Sequence, residues 1–172
     1  FINGNQRIPE LSFKPFSTAL LKEWSGNSKK SILSNSELNT RSIEFKSDSG
    51  CLLFYENTKE LSRRPYFSAT DPTGAYTTRW YDYYFDDIIV ASFDNNGSLL
   101  WEKVFHKRQY SQDDQGLFSS FFIFHTNSVL RIIFNDAISS EGTVSEYILK
   151  PNGDFIRKSI LNTSYKNLNL RF

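Results

Sequence analysis

Few side chains in this chain could carry chemistry, and their spacing limits what that chemistry would be. The two histidines, His106 and His125, stand in no spacing that would pair them with each other or with Cys51 around a metal ion. His106 with Ser119 or Ser120 and Asp113 or Asp114 supplies the residue types of a catalytic triad. No Gly-x-Ser-x-Gly elbow presents either serine as a nucleophile, so both histidines are expected in structural or solvated roles. Paired carboxylates, the tools of a glycosidase, occur as Asp86-Asp87 and Asp113-Asp114. Neighbours on a strand point to opposite faces, so each doublet is expected to split its carboxylates and to serve strand ends, turn caps and sheet edges. Asp94-Asn95-Asn96-Gly97 is as rich in oxygens as a calcium loop but lacks the remaining ligands, including a distal Glu, and reads as a hairpin turn. The stretch from Ser68 to Gly74 is one residue too long between Ser and Asp for a sialidase Asp-box and reads as a Pro-Gly turn. No catalytic set, cofactor or metal site is expected.

The strongest remaining cluster is one of recognition chemistry. Arg63, Arg64, Tyr76, Arg79, Trp80, Tyr81, Tyr83 and Tyr84 gather guanidinium groups and amphipathic rings on the stretch from Glu60 to Phe85. These residue types are enriched at interface hot spots, and long connections on rigid scaffolds often carry function. The stretch is therefore expected to be an interaction surface for a protein partner or a glycan. The competing reading is that Tyr83 to Phe85 begin a strand and that Trp80 covers a sheet edge.

The elements that must position these residues are strands. Aromatic and β-branched residues fill short segments separated by clusters of Asn, Asp, Gly, Ser and Pro, whereas helical periodicity is nearly absent. Asp87 to Asp94 and Ser98 to Phe105 flank Asn95-Asn96-Gly97 as a hairpin, and Thr143 to Lys150 and Asp154 to Leu161 flank Pro151-Asn152-Gly153 as another. Ser42 to Lys46 with Cys51 to Thr58, and Phe118 to His125 with Val129 to Asp136, give two more. Paired off, the four hairpins make two four-stranded units, about 42–105 and 118–161. A repeated antiparallel unit of this kind is the pattern of a β-propeller blade. The fold class is thus all-β and propeller-like, with about two blades inside one 1–172 segment. The flanks 1–41 and 162–172 are candidates for parts of further blades. Within Ile88 to Phe93 both faces are apolar, as in a strand covered on both sides. Ser17 to Trp24, followed by Gly26, reads either as a short helix capped by Ser17 or as a strand.

Composition bounds the partners. The chain has 172 residues, 20 Lys and Arg against 19 Asp and Glu, and 16% aromatics. A near-neutral mixture of charges argues against a phosphate-reading nucleic-acid protein, because counterion release needs a concentrated cationic face. No run approaches the roughly 20 apolar residues of a membrane-spanning helix, and no signal-peptide pattern stands at the start. The sequence begins at Phe1 and contains no Met, so a processed or trimmed product, or part of a longer protein with further blades, is expected. The single Cys51 cannot form an internal disulfide and reads as a small buried hydrophobe in Cys51-Leu52-Leu53-Phe54-Tyr55.

Several segments taken together resemble a known group. Tyr83 to Val90, Asp94 to Trp101, His106-Lys107-Arg108-Gln109 with Ser111 to Gly116, Ser119-Ser120-Phe121 and Ile132 to Asp136 are similar to uncharacterised secreted Bacteroidota proteins with β-propeller-like repeats, over about residues 42–161. The resemblance implies export, to the periplasm, the outer membrane or the outside, and a repeat-built β architecture. It implies no reaction. Glu56-Asn57-Thr58-Lys59 departs from the regular apolar strand that the resemblance would place there. The function expected is a non-enzymatic binding or scaffold module working through protein contacts of its loops. The alternatives are a carbohydrate-binding or carbohydrate-active domain and a subunit of a larger envelope assembly.

Overall fold

The computed structural model describes residues 14–25, 37–63, 79–136 and 143–162. Among them one helix, α1 (Thr18–Ser25), precedes nine strands: β1 (Glu37–Phe45), β2 (Cys51–Arg63), β3 (Trp80–Phe93), β4 (Leu99–Phe105), β5 (Gln109–Gln112), β6 (Phe121–His125), β7 (Leu130–Asp136), β8 (Thr143–Leu149) and β9 (Phe155–Asn162). The helical reading of the N-terminal stretch holds: the Ser17 Oγ accepts the Leu20 amide at 3.1 Å and caps the helix. Leu20 and Trp24, four residues apart, share the buried face of α1.

All four expected hairpins form, and three of their turns have one geometry. In each, the amide of the first residue donates to the carbonyl of the fifth, Lys46 to Gly50, Asp94 to Ser98 and Lys150 to Asp154, at 2.8–2.9 Å. The fourth position has positive φ in every case and is occupied by Ser49, Gly97 and Gly153. Asn96-Gly97 and Asn152-Gly153 therefore put glycine where the left-handed conformation is needed. The Asp94 Oδ1 further secures its turn by accepting the Asn96 and Ser98 amides at 2.9 and 2.7 Å, which accounts for the acidic loop without an ion.

The strands form two antiparallel sheets. The first runs β1-β2-β3-β4 with β5 also on β3, and the second runs β6-β7-β8-β9. The second is an up-and-down meander of four sequential strands, and the first is such a meander with β5 added to β3 as a fifth strand. β3 is long enough to pair with two partners in succession: Asp82 to Phe85 meet β5, while Ile88 to Phe93 meet β4. The stretch from Glu60 to Phe85 is accordingly not one long loop. Its two ends continue β2 and β3 as a paired ribbon out to Arg63 opposite Trp80, and only residues 64–78 lie outside the described part.

The sheets pack face to face. Phe54, Ile88, Val90 and Phe105 of the first meet Leu130, Ile132, Phe134, Tyr147 and Leu149 of the second in one buried cluster. Its rings are engaged edge-on and tilted, with Phe105 5.0 Å from Tyr147 and 4.5 Å from Phe155. On the other face of the first sheet, Ile89 and Val104 are buried against Leu20 and Trp24 of α1. The two-sided apolar run of β3 is thus explained by two covers, a sheet below and a helix above. Cys51 is half-buried rather than buried, because it opens β2 opposite Phe45 and Phe93 near the sheet end.

Candidate functional site

Where the apolar core ends, a charged network takes over the seam between the sheets. Glu56 follows Phe54 on the inward face of β2 and is fully buried. Its Oε1 lies 2.6 Å from the Lys107 Nζ, whose side chain is equally buried. Its Oε2 accepts the Arg41 Nε and the Ser120 Oγ, each at 2.8 Å. Lys107 also donates to the Phe85 carbonyl and to the Gln109 Oε1, both at 2.8 Å. Gln109 completes the seam: its Nε2 reaches the Ser120 and Asn135 carbonyls, and its Oε1 accepts the Ser120 amide at 2.7 Å. Burial pushes the Lys107 ammonium down, and the Glu56 carboxylate beside it pulls the other way. Removing either charge would leave the other uncompensated in the interior.

Immediately outside this network lies a cleft of about 510 Å³ lined by Asn57, Asp86, Asp87, His106, Lys107, Arg108, Asp136 and Arg157. It draws on β2, β3, the β4–β5 link, β7 and β9, so both sheets contribute. A β-bulge makes it possible. Thr58 pairs with Phe85 and Glu56 with Ile88, leaving Asp86 and Asp87 together opposite the single residue Asn57. The expectation that this doublet would split across the sheet is corrected: the extra residue breaks the alternation, and both aspartates line one cleft. Asp87 meets the His106 Nδ1 at 3.1 Å. Asp136 is held by Arg157 and by the Ser145 Oγ at 2.9 Å. Arg157 also lies over the Phe134 and Tyr147 rings, 5.5 and 5.6 Å from their centres.

Two residues that line this cleft each keep one side-chain oxygen out of reach of solvent and without a hydrogen-bond partner, the Asn57 Oδ1 and the Asp86 Oδ1. Burial and then the neighbouring Asp87 charge push the Asp86 carboxyl above the usual carboxylate range, against the pull of Lys107, Arg108 and the Gln109 amide.

The residues singled out from the sequence are spread over a different region. Arg64 and Tyr76 lie outside the described residues. Arg79 and Trp80 are exposed at the start of β3. Arg63 is engaged by the buried Asp82, which also accepts the Tyr110 hydroxyl at 2.9 Å, and Tyr110 packs on Tyr84 with ring centres 5.2 Å apart. Tyr81 is tied by its backbone to Asp113, amide to Oδ1 at 2.8 Å and carbonyl to the Asp113 amide at 2.9 Å. Tyr83 and Tyr84 line a second, smaller cleft of about 400 Å³ with Glu37 and Arg41. Most of the described cluster therefore builds the β2–β3–β5 ribbon, as the competing reading had it for Tyr83 to Phe85.

Most side chains that supply the residue types of a triad are engaged with other partners. Asp113 is occupied by Tyr81, Asp114 accepts the Gly116 amide at 2.8 Å, Ser120 serves Glu56 and His106 faces Asp87. His125 is exposed and meets Glu44 of β1 at 2.9 Å, joining the sheets at their other end. Among the described residues no three His, Cys, Asp or Glu side chains are placed to hold a metal ion, and no helix is long and apolar enough to cross a membrane. Sequence reasoning missed Glu56, Asn57, Lys107 and Gln109. The one available signal was a charged residue interrupting the two-sided apolar strand at Phe54-Tyr55-Glu56. No protein-family model, curated protein or solved structure matches the chain.

Proposed function

We propose that this chain is a non-enzymatic binding and scaffold module of an exported protein, whose two stacked meanders are successive blades of a propeller-like repeat. The observation that carries the reading is the outer face of the second sheet. Phe121, Ile123, Ile132, Phe134, Tyr147, Leu149 and Phe155 pack into the core, so by alternation Phe122, Phe124, Ile133, Ile148 and Ile156 point away from it. Registers place Phe122 beside Ile133, and Ile148 beside Ile156, across that face. Phe122 is 64% exposed, Phe124 48% and Ile156 49%. The Arg131–Glu146 ion pair lies across β7 and β8 in their midst, with Glu146 buried under it.

The first sheet shows what part of such a face does, since Ile89 and Val104 on its outer face are covered by α1, while Ile43 and Phe45 beyond the helix stay exposed. The occupant that fits the bare face is another antiparallel sheet of the same kind, and a second copy of the chain supplies one. Contiguous apolar surface of this kind marks interaction sites in soluble proteins. The reading shifts the contact from the loops to a sheet face, with residues 64–78 outside the described part. Sedimentation velocity over a wide concentration range tests it: the chain should self-associate, and Phe122→Lys with Phe124→Lys should abolish association without unfolding the chain. A monomer at every concentration, or association that survives the double variant, would contradict it.

A further inference from the structure

We propose that Asn96, at the tip of the β3–β4 hairpin, is a site of spontaneous covalent modification, where the side chain closes on the Gly97 nitrogen to a succinimide that water opens to aspartate or isoaspartate. This does not rest on the docking face, since it concerns a turn of the first sheet. Asparagine is among the thermolabile residues, and a following glycine, having no Cβ, leaves its nitrogen open to the side chain before it. The chain has three Asn-Gly dipeptides, Asn3-Gly4, Asn96-Gly97 and Asn152-Gly153. The first lies outside the described residues. The other two hold the same place in hairpin turns of one geometry, with positive φ at both glycines, so their surroundings decide which reacts.

Those surroundings leave Asn96 free and hold Asn152. Asn96 and Gly97 are both exposed, and a Cβ at Gly97 would meet nothing within 4 Å. The Asn96 backbone amide donates to the Asp94 Oδ1, but among the described residues no hydrogen bond holds its side-chain amide. At Asn152 both ends of that amide are engaged by Asp154: the Oδ1 accepts the Asp154 amide at 3.1 Å, and the Nδ2 donates to the Asp154 Oδ2 at 2.7 Å. Gly153 is buried, and a Cβ there would lie 2.9 Å from the Trp101 ring. Ring closure needs the side-chain Cγ to swing onto the next nitrogen and the backbone between them to turn with it. At Asn96 only the turn itself resists, through the Gly97 amide donating to the Asp94 carbonyl at 3.2 Å. At Asn152 two side-chain bonds must break first, and Gly153 must shift against Trp101.

The chemistry needs solvent alone. Water takes the proton of the Gly97 nitrogen, which bonds to the Asn96 Cγ; the Cγ–Nδ2 bond breaks, and ammonia leaves with a proton from solvent. Water then adds to one ring carbonyl. Release of the nitrogen from Cγ gives aspartate, and release from the backbone carbonyl carbon gives isoaspartate. One water is consumed, one ammonia is lost and one carboxylate is gained, two residues from that of Asp94.

Timed incubation of the intact chain at mildly alkaline pH, followed by peptide mapping with fragmentation that separates isoaspartate from aspartate, tests this. In the folded chain Asn96 should convert at least about tenfold faster than Asn152, the weight of two side-chain hydrogen bonds. In guanidinium, with both dipeptides free, the two rates should converge. Asp154→Ala, at an exposed position, removes the acceptor of the Asn152 Nδ2 and should speed conversion there while leaving Asn96 unchanged. Equal rates in the folded chain, faster loss at Asn152, an Asn96 that stays intact, or an Asp154→Ala variant whose Asn152 reacts no faster would overturn the proposal.

Discussion

The two sheets share a four-strand meander, to which the first adds β5, and differ in what covers them. In the first, Ile88 and Val90 are buried below by the second sheet, and Ile89 is buried above by Leu20 and Trp24. In the second, Ile132 and Phe134 are buried in the same core, while Phe122 and Phe124 on the other face stand in solvent. Residue composition alone would not separate them, since both alternate between two apolar faces. The difference lies outside the strands, in an eight-residue helix. An apolar face follows from local sequence, and its burial follows from whatever the rest of the protein brings to it.

The largest effect should come from comparing one isoleucine on each face of the second sheet. Ile132→Ala removes a fully buried side chain from the shared core and should destabilise by about 2–5 kcal/mol. Ile156→Ala, half exposed on the outer face, should change stability by less than about 1 kcal/mol in the monomer. Urea unfolding at low protein concentration measures both, and equal losses would break the distinction between the faces. The hairpin turns offer the same test across sheets. Gly97 and Gly153 both have positive φ, but a Cβ at Gly97 would meet nothing within 4 Å, whereas one at Gly153 would lie 2.9 Å from the Trp101 ring. Gly97→Ala should cost about 1 kcal/mol for the left-handed backbone. Gly153→Ala should cost a further ~1–3 kcal/mol, because the turn of the second sheet is wedged against a side chain of the first.

The smallest effect belongs to the seam between the sheets and depends on pH. The Asp86 carboxyl is pushed up by burial and by Asp87, so the folded protein holds that proton to higher pH than the unfolded chain does. Ionised Asp86 therefore lowers stability above its folded pKa, and this penalty is absent below the unfolded value of about 4. Asp86→Asn should stabilise the chain at neutral pH, with the gain fading as pH falls through the raised folded pKa and gone below about 4. Thermal unfolding across pH 3–8 reads this directly, and a variant less stable than the parent at pH 7 would contradict it.

How much of this was legible in the sequence follows from how local each cause is. The hairpins were legible because Asn96-Gly97 and Asn152-Gly153 state their backbone requirement within two residues. The pairing of four hairpins into two meanders followed from their order alone. The Asp86-Asp87 doublet misled because alternation along a strand is broken by a bulge, and the bulge is a property of register with β2 rather than of either aspartate. The aromatic cluster from Trp80 to Tyr84 looked like a loop because the partner of that stretch, Lys59 to Arg63, carries no apolar alternation of its own. Nothing within His106-Lys107-Arg108 marks one of its members as buried. Only the fold shows that its middle member turns inward to meet Glu56 from a strand some fifty residues earlier in the chain.

The central claim is that the outer face of the second sheet is built to be covered, as the Ile89 and Val104 part of the first sheet's outer face already is. Methyl NMR with a soluble nitroxide tests it most directly, because exposed isoleucines stand on both sheets: Ile43 on the first, 53% exposed, and Ile156 and Ile160 on the second. As the chain is concentrated, Ile156 and Ile160 should become shielded from the nitroxide while Ile43 stays accessible. Shielding of Ile43 to the same degree, or unchanged access at Ile156 and Ile160 up to the solubility limit, would contradict the account.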